Sequence, residues 1–210
     1  MQNVLLSVVV LILMAVTSPI TNAAESLKED NQHIRTWNKF ASDCLKLHKT
    51  LTSGKHLKHE IEVGGYAHQK QFYVEHRYLD HDRLISKVQW EKDNPDTLHS
   101  IEVYLYDKKG RVTRDYAAAF LPYYHNAPVQ TLVSFHHYNG DLHAFRSFDA
   151  SGYRVLERCT GKTADGEEIN LILDEDELAE DPDNIIGSKA YNLCFAGLKQ
   201  KKLGKYVVPQ

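Results

Sequence analysis

VQTLVSFHHYNGDLHAFRSFDASGYRVLERC, residues 129–159, decides how this chain is read. Apolar and polar residues alternate at period two, which marks strands. Asn139-Gly140 between two such runs is the strongest short-range hairpin signal, because both residues accept positive φ cheaply. With those two at the turn, antiparallel pairing is expected to set Tyr138 against Asp141, His137 against Leu142, His136 against His143 and Phe135 against Ala144. Val133, Phe135, His137, Leu142, Ala144 and Phe148 then share a core face. Ser134, His136, Tyr138, Asp141, His143 and Phe145 share an outer one. A second turn, Asp149-Ala150-Ser151-Gly152, fits a type I turn closed by a left-handed glycine, with the Asp149 carboxylate capping backbone donors.

Working outward toward the N-terminus, residues 26–51 recur apolar at three and four: Ile34, Trp37, Ala41, Cys44, His48 and Leu51, widened by Phe40 and Leu47. That is an amphipathic helix, opened by a Ser26/Glu29 capping box and closed by Ser53-Gly54. From Leu57 the period changes to two, through His59, Ile61 and Val63, until Gly64-Gly65 breaks the run. Strands are expected over 71–79, 84–90 and 98–106. Asp107-Lys108-Lys109-Gly110 repeats the turn of residues 149–152, and an aromatic, Tyr106 or Phe148, precedes each. The pair resembles the aromatic-aspartate turn of tyrosine-aspartate repeats over the turn residues alone, and the resemblance implies a hairpin of that kind with no activity attached.

Residues 117–128, AAAFLPYYHNAP, are expected to form one long loop presenting Phe120, Tyr123, Tyr124 and His125, either as a contact surface or as a lid on the sheet edge. Beyond Cys159, Asp165-Gly166 turns one more hairpin. The acidic run after Leu173 lacks the glycine that a calcium-binding loop needs at its sixth position, so a solvated loop or short helix is expected. Ser188 caps a last helix. The expected fold is α+β: a helix over 24–54, an antiparallel meander over 57–173, an acidic loop over 174–187 and a short C-terminal helix over 188–204.

Ahead of this domain, residues 4–16 are apolar except for Ser7, and small residues lead to Ala23. This is the order of a secretory signal peptide over 1–23, leaving one domain over 24–210. The run is short for a spanning helix, although the absence of Lys or Arg in Met1-Gln2-Asn3 keeps an uncleaved anchor in view. A formal charge of −3 carries no field that would gather nucleic acid or an anionic membrane. Export places the three cysteines where disulfides persist, and Cys159 with Cys194 is the expected pair, tying the sheet to the last helix. The lack of an Asn-x-Ser/Thr sequon favours a bacterial envelope, periplasmic or secreted.

No phosphate loop, nucleophile elbow, zinc-protease helix or Cys-x-x-Cys pair occurs, so no catalytic residue is assigned. The leading expectation is a non-enzymatic binding or accessory protein of the envelope, partnered by an envelope protein or a small ligand and needing no cofactor. Its expected surface joins Phe120, Tyr123, Tyr124 and His125 to Tyr138 and Phe145 on the outer face of the hairpin. The alternative is a metal-binding protein or metal-dependent hydrolase holding zinc or copper with His136, Asp141 and His143.

Overall fold

Among the described residues nine strands, each turned back on the last, build a single antiparallel sheet whose spatial order is its sequence order. They are β1 (Lys58–Tyr66), β2 (Gln69–Asp80), β3 (Arg83–Glu91), β4 (Leu98–Tyr106), β5 (Val112–Ala119), β6 (Gln130–Asn139), β7 (Leu142–Phe148), β8 (Arg154–Lys162) and β9 (Glu168–Leu173). Helix α1 (Asn31–Thr52) precedes the sheet, and two short helices, α2 (Glu175–Glu180) and α3 (Lys189–Phe195), follow it. The class is therefore α+β, with an antiparallel sheet. This is a computed structural model; it describes residues 31–200, 203 and 208–210, and the chain divides into two units, Met1–Asn31 and Gln32–Gln210. The export segment expected over 1–23 and the Ser26/Glu29 cap lie outside the described residues.

The pleat sends alternate side chains to opposite faces, and one face is the core. Val88, Ile101, Val103, Tyr116, Val133 and Phe148 are all essentially inaccessible there. Helix α1 covers this inner face: the Phe40 ring lies 6.3 Å from that of Tyr116, His48 Nδ1 is 2.8 Å from Ser86 Oγ, and Trp37 Nε1 donates to Ser151 Oγ at 3.2 Å. Phe40 is fully buried, and a side chain of that size contributes about 1.5–3 kcal/mol when taken out of water. Asp43, buried beside it, is held by Lys39 at 2.6 Å and Lys46 at 2.9 Å.

Three hairpins close with one geometry. In the first, Gly110 N donates to Asp107 O at 3.0 Å and Asp107 N to Arg111 O at 2.9 Å, while Asp107 Oδ1 accepts from Lys109 N and Arg111 N. Asp149 repeats every one of these contacts with Gly152, Tyr153 and Ser151. Thr163 stands in for the aspartate in the third, its hydroxyl accepting from Glu167 N at 3.0 Å. The fourth residue of each turn is a glycine at φ 78°, 88° and 87° respectively, a backbone that favours glycine.

The structure corrects several expectations. In the β6–β7 hairpin Asn139 pairs with Leu142, so the turn residues are Gly140, at φ 59°, and Asp141. Glycine takes the first central position, which a type II′ turn demands, rather than the second. The faces keep their members from the strands, but His136 now opposes Phe145, His143 opposes Tyr138, and Asp141 leaves the ladder for the exposed turn. Strand β1 runs on through Gly64-Gly65 instead of breaking, because Gly65 lets the chain pass so close to Gln69 O that a Cβ would not fit, and the register shifts there as a bulge. Residues 117–119 belong to β5, which shortens the loop to 120–129.

The last helix ends at Phe195, well short of residue 204. Its N-terminus is capped by Ser188 Oγ, which accepts from Tyr191 N at 3.2 Å. Two residues past the helix, Gly197 lies on the His137 imidazole, closer than any side chain would allow. Cys194 on α3 is bonded to Cys159 on β8, with a Cα–Cα separation of 5.9 Å. Within the acidic stretch a short helix forms: Asp174 accepts from Asp176 N and Glu177 N, and Glu177 accepts in return from Asp174 N at 2.9 Å. Asp181 likewise accepts from Ile185 N and Ile186 N. These carboxylates serve their own backbone.

Candidate functional site

The described helices engage the inner side, with Leu178 of α2 packed against the same core as α1 and α3. The outer face of β4 to β8 is left to its own side chains, and there a connected polar row forms. Asp115 projects from β5, across from Tyr104 on β4 and Ser134 on β6. Its Oδ2 stands 2.5 Å from His136 Nε2, and His136 Nδ1 is 2.8 Å from His143 Nε2. The Tyr138 ring lies parallel to that of His143 at 4.5 Å, and the Arg111 guanidinium covers the far side of Tyr138 at 4.7 Å. Phe145 closes the row beside His136 at 5.4 Å.

A carboxylate only accepts, so Asp115 fixes the proton of His136 on Nε2 and leaves Nδ1 as a lone pair facing His143. Burial holds the His143 imidazole below its ordinary pKa, with the neighbouring His136 and Arg158 acting in the same direction and Asp115 against them. Behind the pair, the Tyr104 hydroxyl donates to Glu102, whose other oxygen is 2.6 Å from Lys87 Nζ. Burial, with the Glu102 charge added, pushes the Tyr104 hydroxyl far above its usual range, so it stays a donor.

The carboxylate that meets the histidines is thus Asp115 and not Asp141. Asp141 sits in the hairpin turn, so the set His136, Asp141 and His143 does not assemble, and among the described residues no three His, Cys, Asp or Glu side chains converge as a metal set. Asp115 was missed because the strand that the 107–110 hairpin implies was given no bounds or faces, and the loop was expected to begin at 117. Its parity beside Tyr116 would have placed it on the outer face once β5 was recognised.

A second assembly lies under the loop at 120–129, which folds toward α1, where Asn38 Nδ2 donates to Asn126 O at 2.5 Å. Tyr123 is held at φ 64°, with its hydroxyl donating to Gln69 Oε1 at 2.5 Å and its ring 5.5 Å from that of Phe72. A bulky residue in the left-handed region costs about 1–3 kcal/mol and persists only where its surroundings hold it. His125 Nε2 is 3.4 Å from Glu91 Oε1, a carboxylate only 2% exposed. His99, equally buried, takes the Tyr66 hydroxyl on Nε2, and burial holds its pKa below the ordinary value. Phe120 packs partly buried against the core, while Tyr123 and Tyr124 remain 69% and 66% exposed.

The two halves of the expected contact surface are therefore apart. Tyr138 lies eight residues along β6 from Gln130, about 27 Å at the rise of a strand, and it faces away from the α1 side that the loop covers. Tyr123 packs on Phe72, which Tyr66 also meets, while Tyr124 pairs with Leu121 within the loop and His125 reaches Glu91. Of the cysteines, Cys44 is left free and buried, and burial pushes its thiol far above the usual range.

Fold and sites together define a meander-sheet α+β domain with a polar histidine row on one face and an aromatic loop on the other. Comparison with protein-family models, curated proteins and solved structures finds no match.

Proposed function

We propose that this chain is an exported, non-enzymatic binding or accessory protein of the cell envelope. It meets an envelope protein or a small ligand through the loop at 120–129 and the adjoining β1–β2 hairpin. The observation that carries the reading is the exposure of apolar side chains there: Tyr123 at 69% and Tyr66 at 44%, both packed on the buried Phe72, and Leu121 at 48% and Tyr124 at 66%, paired across the same loop. Contiguous apolar surface of this kind marks interaction sites, and rigid tyrosines lose little entropy on contact. The strained backbone of Tyr123 supports the same reading, since such strain concentrates where side chains are presented for use. In this reading the amphipathic α1 serves to close the inner face of the sheet.

Export rests on the apolar segment at 4–16 with small residues ahead of Ala23, and a Cys159–Cys194 disulfide is compatible with it. A periplasmic or secreted destination in a bacterial envelope follows from the same segment and from the missing sequon. The test is co-purification with a tagged full chain from its native envelope. Tyr123→Ala with Tyr124→Ala is expected to remove the partner while circular dichroism stays unchanged. If every partner stays bound, the loop is not the contact surface.

A further inference from the structure

We propose that His136 and His143 hold one divalent metal ion of the zinc or copper class on the outer face of the sheet, with Asp115 orienting His136 from behind. This site lies on the opposite face from the aromatic loop and does not depend on the proposed function.

Three observations carry it. First, the facing nitrogens, His136 Nδ1 and His143 Nε2, stand 2.8 Å apart. Two imidazole nitrogens sharing an ion at about 2.0–2.1 Å each are about 3.0–3.4 Å apart, so admitting it asks the rings to part by a few tenths of an ångström and to turn their lone pairs off the line that now joins them. Second, His136 is supported as metal-ligating histidines are: its remote nitrogen donates to a carboxylate, Asp115 Oδ2, at 2.5 Å, which fixes the tautomer and makes Nδ1 the free donor. His143 supplies Nε2 by moving its proton to Nδ1, so no proton need leave the protein. Third, the ring positions are set in advance. His136 is only 9% exposed in its side chain, Phe145 flanks it, and Tyr138 stacks flat on His143.

Imidazole suits zinc and copper over magnesium or calcium, and two protein donors leave the remaining positions to water or to a ligand. The chain contains its own comparison. His59 Nε2 and His76 Nδ1 form a second cross-strand pair at 3.0 Å, but there His59 is exposed, His76 only half-buried, and no carboxylate is hydrogen-bonded to either ring among the described residues.

The experiment is calorimetric titration of the full chain with zinc sulfate and, separately, copper(II) chloride. One-to-one binding is expected with at least one of them. His143→Ala abolishes it, and Asp115→Asn, which keeps the shape of the side chain, weakens it by about ten- to a hundredfold. His59→Ala with His76→Ala leaves it in place. No binding by the unsubstituted chain, binding that survives His143→Ala, or binding lost on changing His59 and His76 instead overturns the site. Circular dichroism of each metal-free variant checks its fold, and Asp115→Asn carries the test if His143→Ala does not fold. A chain that binds no metal yet loses its partner through Tyr123 and Tyr124 sinks this site alone, leaving the loop reading intact.

Discussion

Glu157 is a carboxylate with none of its surface exposed, and the chain has built a socket for it. Arg146 Nε donates to its Oε1, Arg154 Nη1 stands 3.3 Å from the same oxygen, and the Tyr191 hydroxyl donates to Oε2 at 2.8 Å. Arg146 goes on to donate to Gln200 O at 2.7 Å and to the Tyr191 hydroxyl at 3.2 Å. A buried charge is tolerated only while its partners remain, and removing one costs about 3–5 kcal/mol. Arg146→Met is therefore expected to lower the stability by that amount, read as a lower urea midpoint at an unchanged slope, whereas Tyr191→Phe, which removes a neutral donor, costs about 1–3 kcal/mol. If Arg146→Met unfolds at the midpoint of the unsubstituted chain, the socket contributes nothing. No pattern in the sequence announces this triad, because Arg146 and Glu157 read as ordinary alternating strand residues and Tyr191 as the apolar stripe of a helix.

At the scale of elements, the turns are self-sufficient and the last helix is not. The hairpins at 107–111 and 149–153 carry their instructions in the aspartate, which satisfies backbone donors, and in the glycine, which takes positive φ. Seven residues of α3 would not hold a helix in water alone. Its cap, the buried Tyr191 and Phe195, and the bond from Cys194 to β8 hold it. Closing a loop of 35 residues by that bond is worth about 3–4 kcal/mol, mainly through the unfolded chain. Cys159→Ser with Cys194→Ser is expected to destabilise the fold by about that amount in thermal unfolding. In the unsubstituted chain a thiol reagent should find Cys44 only after denaturation; reaction in the native state would place Cys44 outside the core.

For the molecule as a whole, the sheet keeps several histidines neutral. Burial lowers the pKa of His48, His76, His99 and His143, in each case as the largest cause. The unfolded chain then binds protons more readily than the folded one. Their contribution to stability is complete above the ordinary histidine pKa, about 6.5, and is lost as pH falls through that value toward the lower folded ones. The urea midpoint is expected to be lower at pH 5.5 than at pH 7.5, before the carboxylates begin to titrate. Equal midpoints would mean that these rings are solvated in the folded state. The same burial divides the molecule functionally: α1 and α3 occupy the inner face, the loop at 120–129 joins them there, and the histidine row is left on the outer one.

The period of two, the aspartate-glycine turns and the helical stripe through Phe40 and Cys44 are local signals, written within a few residues of where they act. From these the sequence by itself determined the α+β class and which residues of β6 and β7 share a face, while the order of the strands came from the structure. What it could not decide was any contact made at long separation. Whether glycine takes the first or second place in the β6–β7 turn depends on how two twisted strands meet, and that one-residue shift removed Asp141 from the histidines. Asp115 replaced it from twenty-one residues away because β5 lies beside β6. Tyr123 found Phe72, and Gly197 met the His137 ring, for the same reason. Periodicity selects a face, but only packing in three dimensions selects a neighbour on it.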